Sequence, residues 1–385
     1  MPNPVPALTS CRLCGRPNPE RRFRLDRMPR SIQRLLTARG DERDQPVAID
    51  VHQCSGCLLV QIPNLLQGDY YDDYIMTVSH STTMRDYQQA QAGDFVDRFK
   101  LRGKRVVEVG CGDGNYLACL RQAGADVRGN EPSDSFRALA LAAGFQVTGG
   151  YVRAGEPIDG APYDAIVARQ VLEHVPDPTD FLTGIRDQLV PGGAGLIEVP
   201  SLEQALEHER FFDIFPDHLS YFTESTLRHA LTRVGFEVVW AGRGMGGEFN
   251  VAMVTWPGLD RVDALGRASE RVSGAFRRFV ARRVSEGKRV AVWGAGGKGL
   301  ASMSMARAQG LAYVIDSDPL KQGRYTPVSQ LPVVPPSRLA EDPVDVVLLT
   351  ALAYRDEIIA QLRDKLGFRG EIAVLGPDLV RDEAR

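Results

Sequence analysis

The 385-residue sequence lacks the features that would place a protein in a membrane or on a nucleic acid. No apolar run approaches the ~18 residues that a membrane-spanning helix needs. A surplus of one charge is also missing, because 46 Lys and Arg stand against 49 Asp and Glu, for a net charge of −3. This balance excludes the basic surface of a general nucleic-acid binder. The first ten residues, MPNPVPALTS, have neither the basic start nor the apolar core of a signal peptide, so we expect a cytoplasmic protein.

What is present is typical of a globular chain. Hydrophobic residues make up 43% and charged residues 25%, and this length predicts two or three domains at about 100–200 residues each. Cysteine is scarce at six residues, four of which form two Cys-x-x-Cys pairs, Cys11 with Cys14 and Cys54 with Cys57. Four thiolates make the closed tetrahedral shell that structural zinc prefers, although chance thiols or a redox pair would give the same spacing. We expect the other two, Cys111 and Cys119, to be small buried residues.

A glycine-rich turn follows the strand predicted near residue 105. Residues 104–118, KRVVEVGCGDGNYLA, predict a strand, a turn and the start of a helix, where glycines allow a ligand to approach a helix N-terminus. The next predicted strand ends at Glu131, about 20 residues after the first glycine, where an acid can accept hydrogen bonds from ribose hydroxyls. Glycines and an acid alone do not separate a dinucleotide from S-adenosylmethionine.

The residue pattern of the turn resembles motif I of class I methyltransferases, in which an acid is followed by three alternating glycines (acid-x-Gly-x-Gly-x-Gly). Residues 163–178, 189–200 and 222–239 then resemble the fourth strand, the fifth strand with its Pro-Gly-Gly turn, and the closing helix and strand of that fold. The resemblance covers about residues 100–255 and implies an S-adenosylmethionine site with these contacts: Glu108, Gly110, Gly112 and Glu131. Arg169 and Gln170 follow the fourth strand and could reach the amino-acid part of the cofactor or, equally well, be surface residues.

The last third of the chain predicts a second Rossmann-like unit. An amphipathic helix is expected over 259–286, with Val262, Leu265, Val272, Phe276 and Phe279 on its apolar face. Residues 288–303, KRVAVWGAGGKGLASM, then give strand, Gly-x-Gly-x-x-Gly turn and helix, and the next strand ends at Asp316. Such a turn could bind a nicotinamide cofactor or the diphosphate of a nucleotide-linked substrate, or it could be empty.

The whole arrangement resembles the nucleotide-sugar C-methyltransferases of deoxysugar biosynthesis. Beyond the cysteine pairs and the methyltransferase motifs, the stretches that carry the likeness are 74–84 (YIMTVSHSTTM), 215–222 (FPDHLSYF) and 316–327 (DSDPLKQGRYTP). The resemblance implies an α/β chain in three parts: a zinc-binding domain with its following segment (1–85), a class I methyltransferase domain (86–258), and a linking helix with a Rossmann-like substrate domain (259–385). It also implies a nucleotide-sugar substrate, S-adenosylmethionine and structural zinc.

Methyl transfer to carbon beside a ketone needs a base, an enolate and a group that stabilises the oxyanion. Histidine is the natural base among side chains. The resemblance assigns these catalytic residues: His218, Asp217, His174 and Tyr221. It places Tyr74 near the cofactor, and the residues predicted to bind the substrate in the C-terminal domain are Gly294, Gly296, Lys298, Lys321 and Arg324.

The chain departs from the family pattern at the catalytic loop. Where the family reads Tyr-His-Glu-His, this sequence has Phe215-Pro216-Asp217-His218, and Met76 replaces a second Tyr. Two phenol groups are therefore missing, and the carboxylate is one methylene shorter. A His base beside a carboxylate would also serve O-methylation. The alternatives are an O- or C-methyltransferase for another small molecule and, as a different class, a protein that binds NAD at residues 294–299.

Overall fold

The computed structural model describes residues 8–30, 46–64, 81–376 and 380–382. The chain divides into two compact units, Met1–Gly258 and Leu259–Arg385, called unit one and unit two below. Among the described residues, no helix has the length and apolar character needed to cross a membrane.

Unit one contains eleven described strands and six described helices. The strands are β1 (Glu20–Pro29), β2 (Pro46–Gln53), β3 (Val60–Gln61), β4 (Arg105–Val109), β5 (Asp126–Asn130), β6 (Val147–Thr148), β7 (Tyr163–Arg169), β8 (Leu189–Pro200), β9 (Ser220–Tyr221), β10 (Glu237–Gly244) and β11 (Phe249–Thr255). The helices are α1 (Thr82–Arg98), α2 (Asn115–Gln122), α3 (Asp134–Ala142), α4 (Pro178–Asp187), α5 (Leu202–Glu207) and α6 (Glu224–Arg233).

The seven-stranded sheet of unit one has the order β10-β11-β8-β7-β4-β5-β6. Strand β11 runs antiparallel to both β8 and β10, whereas the pairs from β8 to β6 are parallel. Both faces of the central strands are buried, since Val107 belongs to one hydrophobic cluster and its neighbour Val106 to another. Burial on both faces explains why these strands read as continuous apolar runs. A parallel sheet with one antiparallel strand inserted near its edge is the class I methyltransferase fold, so this part of the prediction is confirmed.

A smaller antiparallel sheet, ordered β1-β2-β3-β9, connects the N-terminal segment to the candidate catalytic loop. Val60 pairs with Tyr221 across β3 and β9, and the Ile62 amide donates to the Leu219 carbonyl at 3.1 Å. The loop at 211–222 is therefore held in place by backbone hydrogen bonds to the N-terminal sheet.

Unit two is a Rossmann-like α/β structure built on a six-stranded sheet of order β14-β13-β12-β15-β16-β17. Its strands are β12 (Val290–Trp293), β13 (Leu311–Ile315), β14 (Val333–Val334), β15 (Val346–Leu349), β16 (Glu371–Leu375) and β17 (Val380–Asp382). Its helices are α7 (Asp260–Ser285), α8 (Gly297–Ala306), α9 (Arg338–Glu341) and α10 (Arg355–Ala360). All pairs are parallel except β16 with β17. The predicted second Rossmann-like unit is confirmed.

Helix α7 corrects one detail of the sequence prediction. Phe276 is buried in the core of unit two, and Val272 and Phe279 pack against that core. Val262 and Leu265, which the periodicity placed on the same apolar face, are instead 77% and 72% exposed. The apolar stripe extends along the whole helix, but only its C-terminal half packs on the sheet of unit two.

Candidate active site

A cleft of about 1320 Å³ opens in unit one and brings the two predicted halves of the site together. The turn after β4 and the acid after β5 line one part of it, and the segments after β7 and around β9 line another. Ligands of open parallel sheets bind at the carboxyl ends of the strands, and these segments all follow such ends. The cleft is large enough for a cofactor and a substrate side by side.

The turn between β4 and α2 has the geometry of a nucleotide-binding loop. Gly110 and Gly112 adopt left-handed conformations with φ of 70° and 54°. A Cβ on Gly110 would lie 2.5 Å from Cγ2 of Val171, whereas one on Gly112 would meet nothing within 4 Å. Gly110 is thus required by close packing, while Gly112 leaves open space at the cleft.

Glu131 closes this turn from the end of β5. Its Oε2 accepts the Gly112 amide at 2.9 Å, and its Oε1 accepts the Ser133 amide at 2.8 Å. Burial raises the pKa of Glu131 above its ordinary value. The structure therefore brings together Gly110, Gly112 and Glu131, and each oxygen of Glu131 keeps a second lone pair for a ligand.

Glu108 lies at the base of the same part of the cleft. Its side chain is buried, and Oε2 has no hydrogen-bond partner within the described part of the chain. Burial raises the pKa of Glu108 to about 8, so the carboxyl group is largely neutral at pH 7 in the absence of a cationic ligand. The positive charge of Arg169 acts in the opposite direction and favours the ionised form of Glu108.

Arg169 and Gln170 both contact Glu198, a buried acid that the sequence analysis did not single out. An Arg169 terminal nitrogen lies 2.8 Å from Glu198 Oε1, and the guanidinium stacks over the Tyr116 ring with its Cζ 4.1 Å from the ring centroid. Gln170 Nε2 donates to the same Oε1 at 3.3 Å. From α1, Gln91 Nε2 donates to Oε2 at 2.7 Å. Arg169 is 93% buried by its side chain, so these residues form a buried ionic network rather than a solvated surface.

His174 and His218 meet in another part of the cleft wall. Their rings are perpendicular, with centroids 4.6 Å apart. His174 Nδ1 lies 3.0 Å from the Asp217 carbonyl oxygen, and because a carbonyl only accepts, this nitrogen carries the proton. Burial lowers the pKa of His174 to about 4, and it lowers the pKa of His218 well below its ordinary value. Both rings are therefore neutral at pH 7, and His218 is available as a proton acceptor.

Tyr221 and Asp217 support the loop that carries His218. The Tyr221 hydroxyl accepts from the Phe215 amide at 2.8 Å and donates to the Phe215 carbonyl at 3.0 Å. The Asp217 side chain is fully buried, with Oδ2 3.6 Å from His174 Nδ1. The phenol predicted as catalytic is thus engaged with the loop backbone.

Glu173 is a second buried acid that the sequence analysis did not single out. Its residue exposure is 2%, and its Oε1 lies 3.9 Å from His174 Nε2. An acid inside an otherwise apolar run is the signal that would have found both residues: Glu198 occurs in Leu-Ile-Glu-Val and Glu173 in Val-Leu-Glu-His-Val.

The four cysteines of the two Cys-x-x-Cys pairs converge on one point. Cys11 Sγ is 3.5 Å from Cys57 Sγ, and Cys14 Sγ is 3.5 Å from Cys54 Sγ. All four sulfur atoms lie within 4.8 Å of one another. Cys11 and Cys54 share a hydrophobic cluster with Leu172 of the cleft segment, so the thiol cluster is part of the core of unit one. As predicted, Cys111 is buried, while Cys119 is partly buried.

The residues predicted to bind substrate lie at the turn between β12 and α8 of unit two and in the segment that follows β13. Gly294 adopts φ 119°, Gly296 caps α8, and Lys298 is exposed in the first turn of that helix. Lys321 Nζ lies 3.0 Å from Asp316 Oδ2, whereas Arg324 is exposed. The predicted Tyr74, and Met76 beside it, lie outside the described residues.

Comparisons with known proteins match both units of the chain. A family model described as a methyltransferase domain matches residues 84–240, and one described as a C-methyltransferase C-terminal domain matches residues 258–377. The C-methyltransferase NovU of Streptomyces niveus is 28% identical over 88% of this chain and 89% of its own length. A ubiquinone biosynthesis O-methyltransferase of Aeromonas salmonicida is 35% identical, but over 24% of this chain and 42% of its own length.

A solved structure shows a weaker likeness. The magnesium protoporphyrin IX methyltransferase of Synechocystis PCC 6803 with bound SAH is 20% identical at a TM-score of 0.38, over 48% of this chain and 90% of its own. The two family models follow each other along the chain, and the NovU alignment extends over both. This chain therefore contains a methyltransferase domain and is similar over most of its length to a C-methyltransferase.

Proposed function

We propose that this enzyme C-methylates a keto-deoxysugar carried on a nucleotide, through an enolate that His218 generates. The observation that carries the proposal is the buried His218 ring in the wall of the cleft that also holds the Gly110–Gly112 turn. A neutral imidazole can take a proton from the carbon beside a ketone, and burial near Phe215 limits competing protonation by water. The resemblance to nucleotide-sugar enzymes at 215–222 and 316–327 supports this substrate class.

The cofactor half of the cleft has a donor set that fits S-adenosylmethionine. When bound, this group supplies an electrophilic methyl on a positively charged sulfur. Glu131 would accept from the ribose hydroxyls, and Gly112 would let the cofactor approach the turn. Glu108, with Oε2 unpartnered among the described residues, would face the cationic amino-acid end. Arg169 and Gln170, fixed by Glu198, would orient the carboxylate of that end.

The four-cysteine cluster would hold a structural zinc ion. A tetrahedral site with Zn–S bonds of ~2.3 Å needs sulfur atoms roughly 3.8 Å apart, close to the 3.5 Å separations of the two cross-pairs. The Gly56 amide also donates to Cys54 Sγ at 3.3 Å, which favours a thiolate there. Four protein ligands leave no open position, so the ion would be structural. We expect atomic emission to find one zinc ion per chain. A double variant, Cys14→Ser with Cys54→Ser, should lose this ion and should melt at a lower temperature.

Unit two would bind the nucleotide part of the substrate. The N-terminus of α8, preceded by Gly294 and Gly296, offers backbone amides to a diphosphate. Lys298 and Arg324 would add charge, and Lys321 would act from its contact with Asp316. Each of the three predicted parts of the chain would then have its own role. Residues 1–85 would be stabilised by zinc, residues 86–258 would transfer the methyl group, and residues 259–385 would recognise the nucleotide.

The experiment that tests the proposal is incubation with labelled S-adenosylmethionine and a panel of 4-keto nucleotide sugars, with the methyl located by NMR. A new C–CH3 bond next to the ketone is expected. An O-methyl product, or no product with any keto sugar, would contradict the proposal. His218→Ala should lower kcat by about 10²–10⁴-fold, with the Kd for S-adenosylmethionine within a few-fold by calorimetry. The exposed His229→Ala variant on α6 is the matched control.

A further inference from the structure

Glu173 is a buried carboxyl group whose chemistry the roles above leave unused. Its residue exposure is 2%, and neither Oε1 nor Oε2 has a hydrogen-bond partner within the part of the chain that the structure describes. Buried polar groups in folded proteins are nearly always hydrogen-bonded, because an unmet one costs about 1–3 kcal/mol. A group left in this state at the wall of a substrate cleft is suited to a ligand that completes its bonding.

The position of Glu173 is beside the proposed base. One oxygen of Glu173, one ring nitrogen of His174 and one ring nitrogen of His218 all lie within 4.8 Å of one another. A ketone bound against His218 would therefore lie close to the Glu173 carboxyl group, whose two oxygens are buried at the wall of the cleft. Burial is the largest effect on Glu173 and raises its pKa well above the ordinary value. A hydrogen bond from its own backbone amide lowers the pKa, and the carboxylates of Asp217 and Glu198 raise it further.

Two hydrogen-bond donors near His218 are already engaged. The Tyr221 hydroxyl is bound to the Phe215 backbone, and the His174 Nδ1–H is bound to the Asp217 carbonyl. Phe215 itself stacks edge-on against His218, with ring centroids 4.8 Å apart, and has no side-chain donor. The Glu173 carboxyl, when protonated, adds a donor that has no side-chain partner among the described residues, and the buried Ser220 hydroxyl is another such group.

We propose that Glu173 is a further catalytic residue: as a neutral acid, it donates the hydrogen bond that stabilises the enolate oxygen of the substrate. The inference rests on the enolate route proposed above. A carboxylic acid kept neutral by apolar burial can serve as an oxyanion donor. It would supply in this chain the donor that is missing at Phe215.

The step balances without another reactant. His218 takes the proton from the carbon beside the ketone, and the C–H electron pair becomes the carbon–carbon double bond of the enolate. The carbonyl π pair moves to oxygen, where the Glu173 O–H donates to it while the proton stays on Glu173. When the carbonyl re-forms on methyl transfer, the hydrogen bond weakens, so the donor acts most strongly where negative charge is greatest.

A pair of variants tests the role of the donor. Glu173→Gln keeps a donating N–H in nearly the same shape, whereas Glu173→Leu removes it. Loss of one oxyanion donor lowers kcat by about 10²–10³-fold, so this loss is expected for E173L, and E173Q should retain activity within roughly tenfold of wild type. Cofactor Kd and melting temperature should stay near wild type in E173Q, and the exposed Glu156→Gln variant is the control. Equal inactivity of E173Q and E173L would overturn the proposal, because it would mean that an ionised carboxylate is needed.

Two measurements distinguish a failure of the proposed role of Glu173 from a failure of the proposed function. Infrared difference spectra between wild type and E173Q, taken without substrate at pH 7, should show the C=O stretch of a protonated acid; its absence contradicts the inference. With a keto nucleotide sugar in D₂O, the E173L variant should slow exchange of the proton beside the ketone as much as it slows methylation. If wild type neither exchanges nor methylates any keto sugar, the proposed function fails, whereas equal exchange by wild type and E173L refutes the role of Glu173 alone.

A divalent metal ion is the rival occupant of this cluster, since one carboxylate and two imidazoles are sufficient ligands. The full chain with its cysteine-bound zinc is titrated with Zn²⁺ and Mn²⁺ in wild type and E173Q. No ion beyond that of the four cysteines, and a kcat that added Mn²⁺ leaves unchanged, are expected. A second equivalent that E173Q fails to bind would overturn the donor role.

Discussion

At the scale of single residues, the buried histidines of the cleft link stability to pH. Burial lowers the pKa of His174 to about 4, against an ordinary value of 6.5. As pH falls below 6.5, the unfolded chain takes up a proton at this position and the folded chain does not, so acid favours unfolding. Above pH 6.5 both states are neutral and the residue has no effect on the pH dependence.

This sign predicts the behaviour of a His174→Asn variant, whose amide keeps a donor for the Asp217 carbonyl. At pH 5 the protonation of His174 in the unfolded chain costs wild type about 2 kcal/mol of unfolding free energy relative to pH 7.5. The variant should lose about that much less over the same interval, measured by urea unfolding at the two pH values. A His229→Asn variant, which changes an exposed histidine, should lose as much unfolding free energy between pH 7.5 and pH 5 as wild type does. An equally acid-sensitive H174N would show that His174 is not buried in its neutral form.

Single residues also show where sequence reasoning ends. Gly110, Gly112 and Glu131 belong to one continuous motif, and the structure brings them together as the motif predicts. The contacts of Glu198 with α1 and with Arg169 join positions more than 25 residues apart in the chain. Periodicity reports that a strand is buried, but it carries no information on which distant side chain neutralises an acid inside it.

At the scale of elements, the turn between β4 and α2 contains two glycines that are needed for different reasons, one for folding and one for binding. Both Gly110 and Gly112 have left-handed backbones, so an alanine at either position costs about 1 kcal/mol of strain. Only at Gly110 does the added Cβ also collide with Val171. The turn therefore contains one glycine needed for packing and one whose missing side chain leaves room in the cleft.

Two alanine variants check this division. Gly110→Ala should lower unfolding free energy by about 2–4 kcal/mol, because strain and overpacking add. Gly112→Ala should lower it by about 1 kcal/mol while weakening S-adenosylmethionine binding at least tenfold by calorimetry. Each variant serves as the control for the other. A Gly112→Ala protein with wild-type affinity would place the cofactor away from this turn.

The elements themselves were largely predictable, and the exceptions have physical reasons. Strands β4, β7 and β12 are largely apolar, contain β-branched residues and are followed by turn residues, which is the pattern of a buried parallel strand. The exposure of Val262 and Leu265 on α7 was not predictable, because periodicity defines a face of a helix without showing what covers it. The pairing of two-residue strands β3 and β9 was likewise beyond sequence patterns, since it joins Val60 to Tyr221.

At the scale of the whole molecule, both units close their glycine turn in the same way. In unit one, Glu131 accepts the amides of Gly112 and Ser133. In unit two, Asp316 accepts the amide of Ala295 at 2.8 Å and that of Asp318 at 2.9 Å. The chain thus repeats one arrangement of a glycine turn and an acid, and the two copies differ in the cation that contacts the acid.

The contact of Lys321 with Asp316 favours a diphosphate ligand over a nicotinamide dinucleotide in unit two. Lys321 Nζ bonds to Asp316 Oδ2, which already accepts the Ala295 amide. A ribose diol would have to compete with this ammonium group for the carboxylate. Glu131 in unit one is surrounded differently, since its main described partners are backbone amides. The same turn can therefore accept ribose in one unit and leave the helix N-terminus for a diphosphate in the other.

Calorimetry on the full chain tests this reading of unit two. A nucleoside diphosphate should bind, NADH should bind at least tenfold more weakly, and Lys298→Met should weaken diphosphate binding about tenfold, the loss expected for one charge-assisted hydrogen bond. Lys365→Met removes an exposed lysine at the far end of the helical segment after α10 and should leave the Kd unchanged. Because the Lys298 charge is exposed, salt should screen it, so the difference in Kd between wild type and the Lys298 variant should shrink as salt rises. Tight NADH binding, or equal affinities in the Lys298 and Lys365 variants, would show that the α8 turn is not a diphosphate site.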